Sequence, residues 1–284
     1  MVAPDAGRNH HPRSPFFVTM SPSLEALHRE FVTEGDVSPS DYAFLLDAAG
    51  ENPDPGRLRR MLRRRQLGEP REYIAGFQDF RGRRFAIDKR VYITDPELTH
   101  LVDVVVERGR AILEDEGRAP VIVEFGVGCG SLAISVKKAL PQARVIGLDL
   151  DTDAITVATA NAQAHHADVL LLESDLFSDL PPEIEPDLVF GDPPWGDEAS
   201  VYDDERPAAH YHAMPPLSAF PSGGITAVHE ALLEAARDRG WKSEILLNLG
   251  ILGESDVARL SAMTLNPDVL RFDNAAVLRC KVCG

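Results

Sequence analysis

Apolar residues recur with two different periods along the chain. Between Leu24 and Leu62 they recur at helical spacing, which predicts a helical domain over residues 21–70. From residue 95 to residue 284, short apolar runs alternate with helically spaced segments, and this alternation predicts an α/β domain on a parallel sheet. Residues 71–94 link the two, with a β-hairpin predicted over residues 77–93 and its turn at Arg81-Gly82. Residues 1–20 mix Pro, His, Arg and Gly without periodicity, so a disordered leader is expected.

The strands of the α/β domain are predicted from its apolar runs. The predicted strands are residues 121–125, 144–148, 169–172, 188–191 and 245–249, followed by a final pair at 269–272 and 276–282. Asp95 is predicted to cap the helix that precedes the first of them, with Pro96 at its first position.

The first strand runs into a glycine loop, Gly126-Val127-Gly128-Cys129-Gly130, which is followed by helical spacing. Glycines at alternate positions let the backbone pass close to a ligand and take positive φ angles. A pyrophosphate-binding fingerprint has Gly or Ala where this chain has Ser131. The loop therefore favours a ligand without phosphates.

Acidic residues follow the next two strands. Asp149, with Leu150 beside it, ends the second strand, where its carboxylate can accept two ribose hydroxyls. Asp151 is predicted to cap the following helix. After the third strand, Asp175 can accept an adenine amino group while Leu176 packs against the base. Since ligands of open α/β sheets bind at the carboxyl ends of the strands, these side chains predict one shared site.

The run at residues 188–191 leads directly into Asp192-Pro193-Pro194-Trp195. The Asp192 side chain and the Pro193 carbonyl can accept both hydrogens of one NH2 group, while Trp195 covers a planar face. Proline stiffens the segment, because it fixes φ and lacks an N–H. A rigid turn without chemistry explains the same residues. Together with the glycine loop, however, they indicate a site that grips a planar nitrogen.

These segments resemble a known family. Glu124 to Gly130, Asp149, residues 174–177 and Asp192 to Trp195 look like S-adenosylmethionine-dependent methyltransferases, nearest to the HemK/PrmC group of glutamine N5-methyltransferases that modify peptide release factors. The similarity extends upstream through residues 71–76, 80–87 and 91–97. It implies a Rossmann-like class I methyltransferase sheet over residues 95–284, an N-terminal helical domain, a connecting β-hairpin and S-adenosyl-L-methionine as cofactor. It also implies that Glu124 orients the methionine end of the cofactor.

The chain departs from the family pattern at two places. Asp192-Pro193-Pro194-Trp195 replaces Asn-Pro-Pro-Tyr, and residues 94–98 replace an Arg-Pro-Glu-Thr segment. An ionised Asp only accepts hydrogen bonds, so it suits a cation or a donor-only NH2 group, whereas Asn suits a carboxamide. Acidic residues that would attract a cation crowd the next loop: Asp197, Glu198, Asp203, Asp204 and Glu205.

The predicted acceptor is therefore a cationic planar nitrogen, best a guanidine such as arginine in a small molecule or peptide. Asp192 is a candidate proton acceptor, and His210 and His212 are weaker ones. Glutamine in a protein remains an alternative, as does a nucleobase amino group, because Asp-Pro-Pro-Trp also resembles the motif of adenine N6-methyltransferases. A partner that binds the cofactor without catalysis is a further alternative. The helical domain either holds a protein substrate or covers the cofactor as a lid.

Composition limits the partners, metal sites and cellular location that can be expected for this chain. The chain has 45 acidic and 29 basic residues, a formal charge of −16, which disfavours nucleic acid as a partner. A basic stretch, residues 57–65, reads as the solvated face of a helix or as a contact for an acidic partner or RNA. Cys280 and Cys283 lack a second ligand pair in this chain, so no metal site is expected within it, and a coincidence at the end of a strand is favoured over an intermolecular metal site. No apolar stretch approaches the ~20 residues of a membrane span, and a cytoplasmic protein is expected.

Overall fold

The computed structural model describes residues 21–196, 208–250 and 252–283. These described residues form two compact units, which divide between Leu67 and Gly68. Two expectations lie outside the described residues: the disordered leader over residues 1–20, and the acidic loop that contains Asp197, Glu198, Asp203, Asp204 and Glu205.

The first unit is helical, as the spacing of its apolar residues predicts. It consists of α1 (Pro22–His28), a π-helical turn (Arg29–Thr33), α2 (Pro39–Ala49) and α3 (Pro55–Gln66). The three α-helices each begin with a proline, after a Ser or Asp whose side chain accepts a backbone N–H. Leu27, Leu45 and Leu58 are buried in its core. Within the basic stretch on α3, Arg59 pairs with Glu30 and Arg65 with Asp41.

The second unit opens with α4 (Arg71–Ala75) and a hairpin of β1 (Phe77–Phe80) and β2 (Arg83–Ala86). Arg81 and Gly82 have φ angles of 48° and 71°, as a two-residue hairpin turn requires, so the predicted turn is confirmed. The hairpin is shorter than predicted. It ends at Ala86 because the Asp88 side chain accepts the Arg90 N–H and begins a turn.

A seven-stranded sheet forms the centre of the second unit. Its strands are β3 (Val121–Phe125), β4 (Arg144–Asp149), β5 (Val169–Glu173), β6 (Leu188–Gly191), β7 (Glu244–Asn248), β8 (Leu265–Arg271) and β9 (Ala276–Lys281). They lie in the order β5-β4-β3-β6-β7-β9-β8. The first five are parallel, whereas β9 is antiparallel to β7 and to β8. The predicted α/β class is confirmed.

Helices connect the strands and cover the sheet. They are a 3-10 turn (Pro96–Leu98), α5 (Thr99–Glu116), α6 (Ser131–Ala139), α7 (Thr152–Ala164), α8 (Ala208–His212), α9 (Pro216–Ala219), α10 (Ala227–Asp238) and α11 (Glu254–Ala262). Apolar side chains gather in two buried clusters, one containing Phe85, Val105 and Leu132 and the other Leu148, Leu232 and Leu247. Across the described parts of the chain, no helix is both long and apolar enough to cross a bilayer.

Two further predictions need correction. The last strand pair begins earlier than predicted, at Leu265, and the ladder is irregular between Leu265 and Asp268. Pro267 lies in that irregularity, where its missing N–H costs the edge strand little. Asp95 makes no capping hydrogen bond with its side chain, although Pro96 does begin the 3-10 turn. Asp95 instead lines the cavity described next.

Candidate active site

A cavity of about 410 Å³ opens at the carboxyl ends of the parallel strands. All but one of the residues predicted for the site line it. They are Asp192, Pro193, Pro194 and Trp195 after β6, with Glu124, Gly126, Val127, Gly128, Cys129, Asp149, Leu150, Asp175 and Leu176. Gly130 is the exception. It has a φ of 84° and precedes α6, and a Cβ there would lie 3.0 Å from the Ile134 side chain, so the backbone conformation and this contact both favour glycine.

The glycine loop presents bare backbone to this cavity. Gly126 and Gly128 have φ angles of 67° and 52°, so the predicted positive values are confirmed. A Cβ added at either position would meet nothing within 4 Å. Strain would therefore oppose a side chain here, while the open space lets a ligand approach the backbone.

Glu124, at the end of β3, is only 2% exposed. Its Oε2 atom has no hydrogen-bond partner among the residues that the structure describes. Burial raises the pKa of Glu124 well above its usual value, and the Asp149 and Asp192 carboxylates raise it further. Because an unpaired buried polar atom is costly, this oxygen suits a ligand that brings a donor or a positive charge.

Asp149 supports the glycine loop from the end of β4. Its two carboxylate oxygens accept the Gly128 N–H at 2.9 Å and the Asp151 N–H at 3.0 Å. Burial raises its pKa above the usual value, while those hydrogen bonds oppose the shift. Each oxygen retains acceptor capacity for a ligand. Asp151 caps α7 by accepting the Asp153 N–H, as predicted.

The loop after β5 contributes the outer wall. Asp175 is exposed at the cavity and Leu176 is half-buried. Leu176 has a φ of 51°, an unfavourable conformation for a branched side chain. Such strain persists only where the surroundings impose it, and it is common at binding sites.

Asp192 lies at the other end of the cavity. Its Oδ1 accepts a hydrogen bond from Asn248 Nδ2 at 2.7 Å. Burial raises the pKa of Asp192 to about 7; the hydrogen bond from Asn248 lowers it, and the Asp95 carboxylate adds to the rise. The predicted proton acceptor thus titrates near neutral pH. His210 and His212, the weaker candidates, do not belong to the described cavity lining.

Trp195 lies against the backbone after β7. A Cβ added at Gly250 would come within 2.5 Å of the Trp195 indole ring, so only glycine leaves room for the ring. Gly250 also has a φ of 52°, which favours glycine independently of the ring. Together with Pro193 and Pro194, this contact fixes the position of the Trp195 ring at the cavity.

Sequence reasoning missed three residues of this site: Asp95, Asn248 and Gly250. Asn248 offered a signal, because it is a polar residue at the end of an apolar strand that lies in the same sheet as β6. Asp95 was concealed by its second plausible role as a helix cap. Gly250 offered none, because its contact with Trp195 joins distant parts of the chain.

Comparisons with known proteins agree with this geometry. Residues 110–206 match the family model described as "Methyltransferase small domain". The chain is 33% identical over 236 residues to a release factor glutamine methyltransferase of Bordetella pertussis, covering 81% of each protein. It is 31% identical over 160 residues to the 4-amino-L-phenylalanine/4-methylamino-L-phenylalanine methyltransferase of Streptomyces pristinaespiralis, covering 56% of this chain and 53% of that protein.

Solved structures extend the likeness of fold. A 16S rRNA methyltransferase of T. thermophilus, solved with AdoMet and guanosine, superposes with a TM-score of 0.51 at 19% identity, covering 72% of this chain and 49% of that one. The sheet is accordingly the Rossmann-like sheet of class I methyltransferases. The cofactor is S-adenosyl-L-methionine, which the open glycine loop and the unpaired Glu124 oxygen fit. The chain belongs to the HemK/PrmC family of S-adenosylmethionine-dependent N-methyltransferases.

Proposed function

We propose that this enzyme methylates a planar cationic nitrogen, the guanidine of arginine or of an arginine-like small molecule or peptide. The observation that carries the proposal is the set of carboxylates around the acceptor end of the cavity. The Asp95 carboxylate is the charged neighbour that raises the pKa of Asp192, and both residues line the cavity. A guanidinium supplies positive charge and offers only N–H donors, so it matches such surroundings.

The cofactor occupies the other part of the cavity in this proposal. Glu124 Oε2 accepts from the ammonium of the methionine portion, Asp149 holds the ribose hydroxyls beside Leu150, and Asp175 and Leu176 contact the adenine. Gly126, Val127, Gly128 and Cys129 pass beneath it, and Gly130 sets the start of α6. When bound, S-adenosylmethionine supplies an electrophilic methyl group.

Asp192 and Pro193 position the acceptor. The Asp192 carboxylate and the Pro193 carbonyl each accept one N–H, while Trp195 stacks on the planar group and Pro194 stiffens the segment. Positioning of this kind supplies much of the rate in a transfer that needs reacting atoms about 3 to 3.5 Å apart. The guanidinium nitrogen loses one proton as it gains the methyl group, and Asp192, with a pKa of about 7, accepts that proton before passing it to water.

A second candidate acceptor is an aromatic amine. The S. pristinaespiralis relative is named for 4-amino-L-phenylalanine, whose NH2 group is also attached to a planar system. Glutamine, named for the B. pertussis relative, suits the site less well. Its carbonyl needs a donor, and Asn248 Nδ2 already donates to Asp192. The helical first unit could still present a protein substrate, whereas the formal charge of −16 weighs against nucleic acid.

A panel of acceptors tests the proposal. The protein is incubated with labelled S-adenosylmethionine and, separately, with arginine, simple guanidines, 4-aminophenylalanine, a glutamine peptide of a release factor, and oligonucleotides. Label is expected in the guanidines. Transfer to 4-aminophenylalanine alone would establish the second candidate, and transfer to the glutamine peptide with unlabelled guanidines would overturn the proposal.

The Asp192→Asn variant tests whether the Asp192 carboxylate holds the methyl acceptor. We expect kcat/KM for the guanidine to fall about 100-fold or more, since a charge-assisted contact at a reacting group is worth about 1.5 to 3 kcal/mol or more. The dissociation constant of S-adenosylhomocysteine should not change. Asp273→Asn, the same substitution at an exposed position, serves as the control. Unaltered turnover by Asp192→Asn would remove this carboxylate from the mechanism.

A further inference from the structure

Asn248 is held firmly at the last position of β7. It is 7% exposed and pairs with Val277 of β9. Its backbone carbonyl accepts a hydrogen bond from His229 Nε2 at 3.0 Å. His229 is fully buried, and burial lowers its pKa to about 4, so the ring is neutral at pH 7 and carries its hydrogen on Nε2. The side chain of Asn248 is therefore presented to Asp192 from a fixed backbone.

The contact between the two side chains has a defined polarity. Asn248 Nδ2 donates to Asp192 Oδ1 at 2.7 Å, so Oδ1 already accepts one N–H on the side of Asn248. Oδ2 then remains for the methyl acceptor, and it too can only accept while Asp192 is ionised. An acceptor that offers an N–H satisfies Oδ2, whereas one that offers a carbonyl oxygen opposes it.

We propose that Asn248 is a specificity-determining positioning residue, which fixes the orientation of Asp192 and thereby selects acceptors that offer only N–H groups. The inference rests on the proposed function, because it concerns how the same site recognises its acceptor. Asn248 acts through Asp192, without contact with the reacting atoms.

A reciprocal exchange separates this role from a merely structural one. In the Asp192→Asn variant, the Asn248 donor would hold the new amide oxygen and turn the new NH2 group toward the acceptor, donor against donor. Adding Asn248→Asp reverses the hydrogen bond. The amide at position 192 then donates to the carboxylate at position 248 and turns its oxygen back to the acceptor.

The experiment measures kcat/KM for wild type, both single variants and the double variant, using whichever acceptor the wild type turns over in the panel. We expect Asp192→Asn to lose about 100-fold or more, and the double variant to recover at least about tenfold of that loss. Asn274→Asp, the same change at an exposed residue, is the control. A double variant that folds and binds S-adenosylhomocysteine but is no better than Asp192→Asn would overturn the inference.

The pH profile of Asn248→Ala provides a second measurement. The hydrogen bond from Asn248 lowers the pKa of Asp192, whose charged neighbours are Asp95 and Glu124. Its removal should therefore move the rising limb of kcat/KM to higher pH. A loss of packing alone would lower the rate without moving that limb, and an unmoved limb would contradict the proposed role. Failure of the guanidine proposal would appear separately, in the identity of the labelled acceptor.

Discussion

Buried carboxylates dominate the electrostatics of the candidate site. Glu124, Asp149 and Asp192 all line one cavity, and burial raises the pKa of each. The basic residue at the same cavity, Arg90, already pairs with Asp88. Under the proposed function, positive charge at this cavity therefore comes from the cofactor's ammonium and from the cationic methyl acceptor.

The first prediction at this scale concerns pH. Asp192 has a pKa of about 7, whereas a guanidinium stays charged far above that value. In the proposed mechanism, the ionised carboxylate is the form that holds the cation and accepts its proton. We expect kcat/KM to rise about tenfold per pH unit below about pH 7 and to level off above it.

Binding of the cation lowers the pKa of Asp192 and so releases a proton, which is why affinity must increase with pH. Initial rates at low acceptor concentration between about pH 5.5 and 8.5 measure the profile. The Asp192→Asn variant should lose this rise. A wild-type profile that falls across the same range would contradict the assignment.

The contact between Gly250 and the Trp195 ring gives a second prediction. Substituting Gly250→Ala places a methyl group where the indole ring lies, at a φ that disfavours alanine. Trp195 should be displaced, and kcat/KM should fall by roughly tenfold or more because the planar acceptor loses its stacking partner. Gly253→Ala is the matched control, since its added Cβ would approach no described atom closer than 3.8 Å.

Intrinsic fluorescence reports the displacement independently of turnover. The chain has two tryptophans, and the other, Trp241, is buried. A changed emission spectrum in Gly250→Ala, with unchanged binding of S-adenosylhomocysteine, is the expected pair of results. If neither emission nor kcat/KM changes, Trp195 does not define the acceptor end.

At the scale of elements, the hairpin and the glycine loop form one hydrogen-bonded assembly. Asn161 of α7 accepts the Ala86 N–H at 2.9 Å and donates to the Ala86 and Cys129 carbonyls at 2.9 and 2.8 Å. Gln78 of β1 donates to the Thr94 hydroxyl and accepts the Thr94 N–H. The hairpin thereby supports the glycine loop that lines the cavity.

Substitution Asn161→Ala tests this support. It removes three hydrogen bonds to backbone groups, one of them buried and two partly buried, which should lower the free energy of unfolding by about 2 to 3 kcal/mol. Affinity for S-adenosylhomocysteine should weaken several-fold, because the Cys129 carbonyl loses its anchor. Thermal unfolding and calorimetric titration measure the two effects. Gln163→Ala, at an exposed position of the same helix, should change both little, and equal effects in the two variants would refute the idea.

The strands, the glycine loop and the hairpin differ in how well the sequence predicts them. The strands followed from apolar runs, and the glycine loop and the Arg81-Gly82 turn from local backbone chemistry. The early end of the hairpin could not be predicted from the sequence, because apolar residues continue past the Asp88 turn into the core. The partnership of Asp192 with Asn248 could not be derived, because the two residues are 56 positions apart and meet only when β6 and β7 pair.

At the scale of the whole molecule, the net charge and the cavity lining are both negative. The formal charge is −16, and carboxylates that contribute to it line the cavity. A negative field attracts cations from solution and raises their association rate, and salt screens it over about 10 Å at 0.1 M. The electrostatic effect therefore distinguishes a cationic acceptor from an uncharged one.

The last prediction follows from that field. With a guanidinium acceptor at low concentration, kcat/KM should fall several-fold as sodium chloride rises from about 10 to 300 mM, since screening weakens the attraction of the cation to the protein. Initial rates at each salt concentration measure it, with the unfolding temperature recorded alongside to exclude a loss of folded protein. Potassium chloride should give the same dependence, because screening depends on ionic strength and not on the identity of the ion. A kcat/KM that stays constant or increases with salt would mean that the negative field of the protein does not draw the guanidinium to the site, and would contradict this prediction.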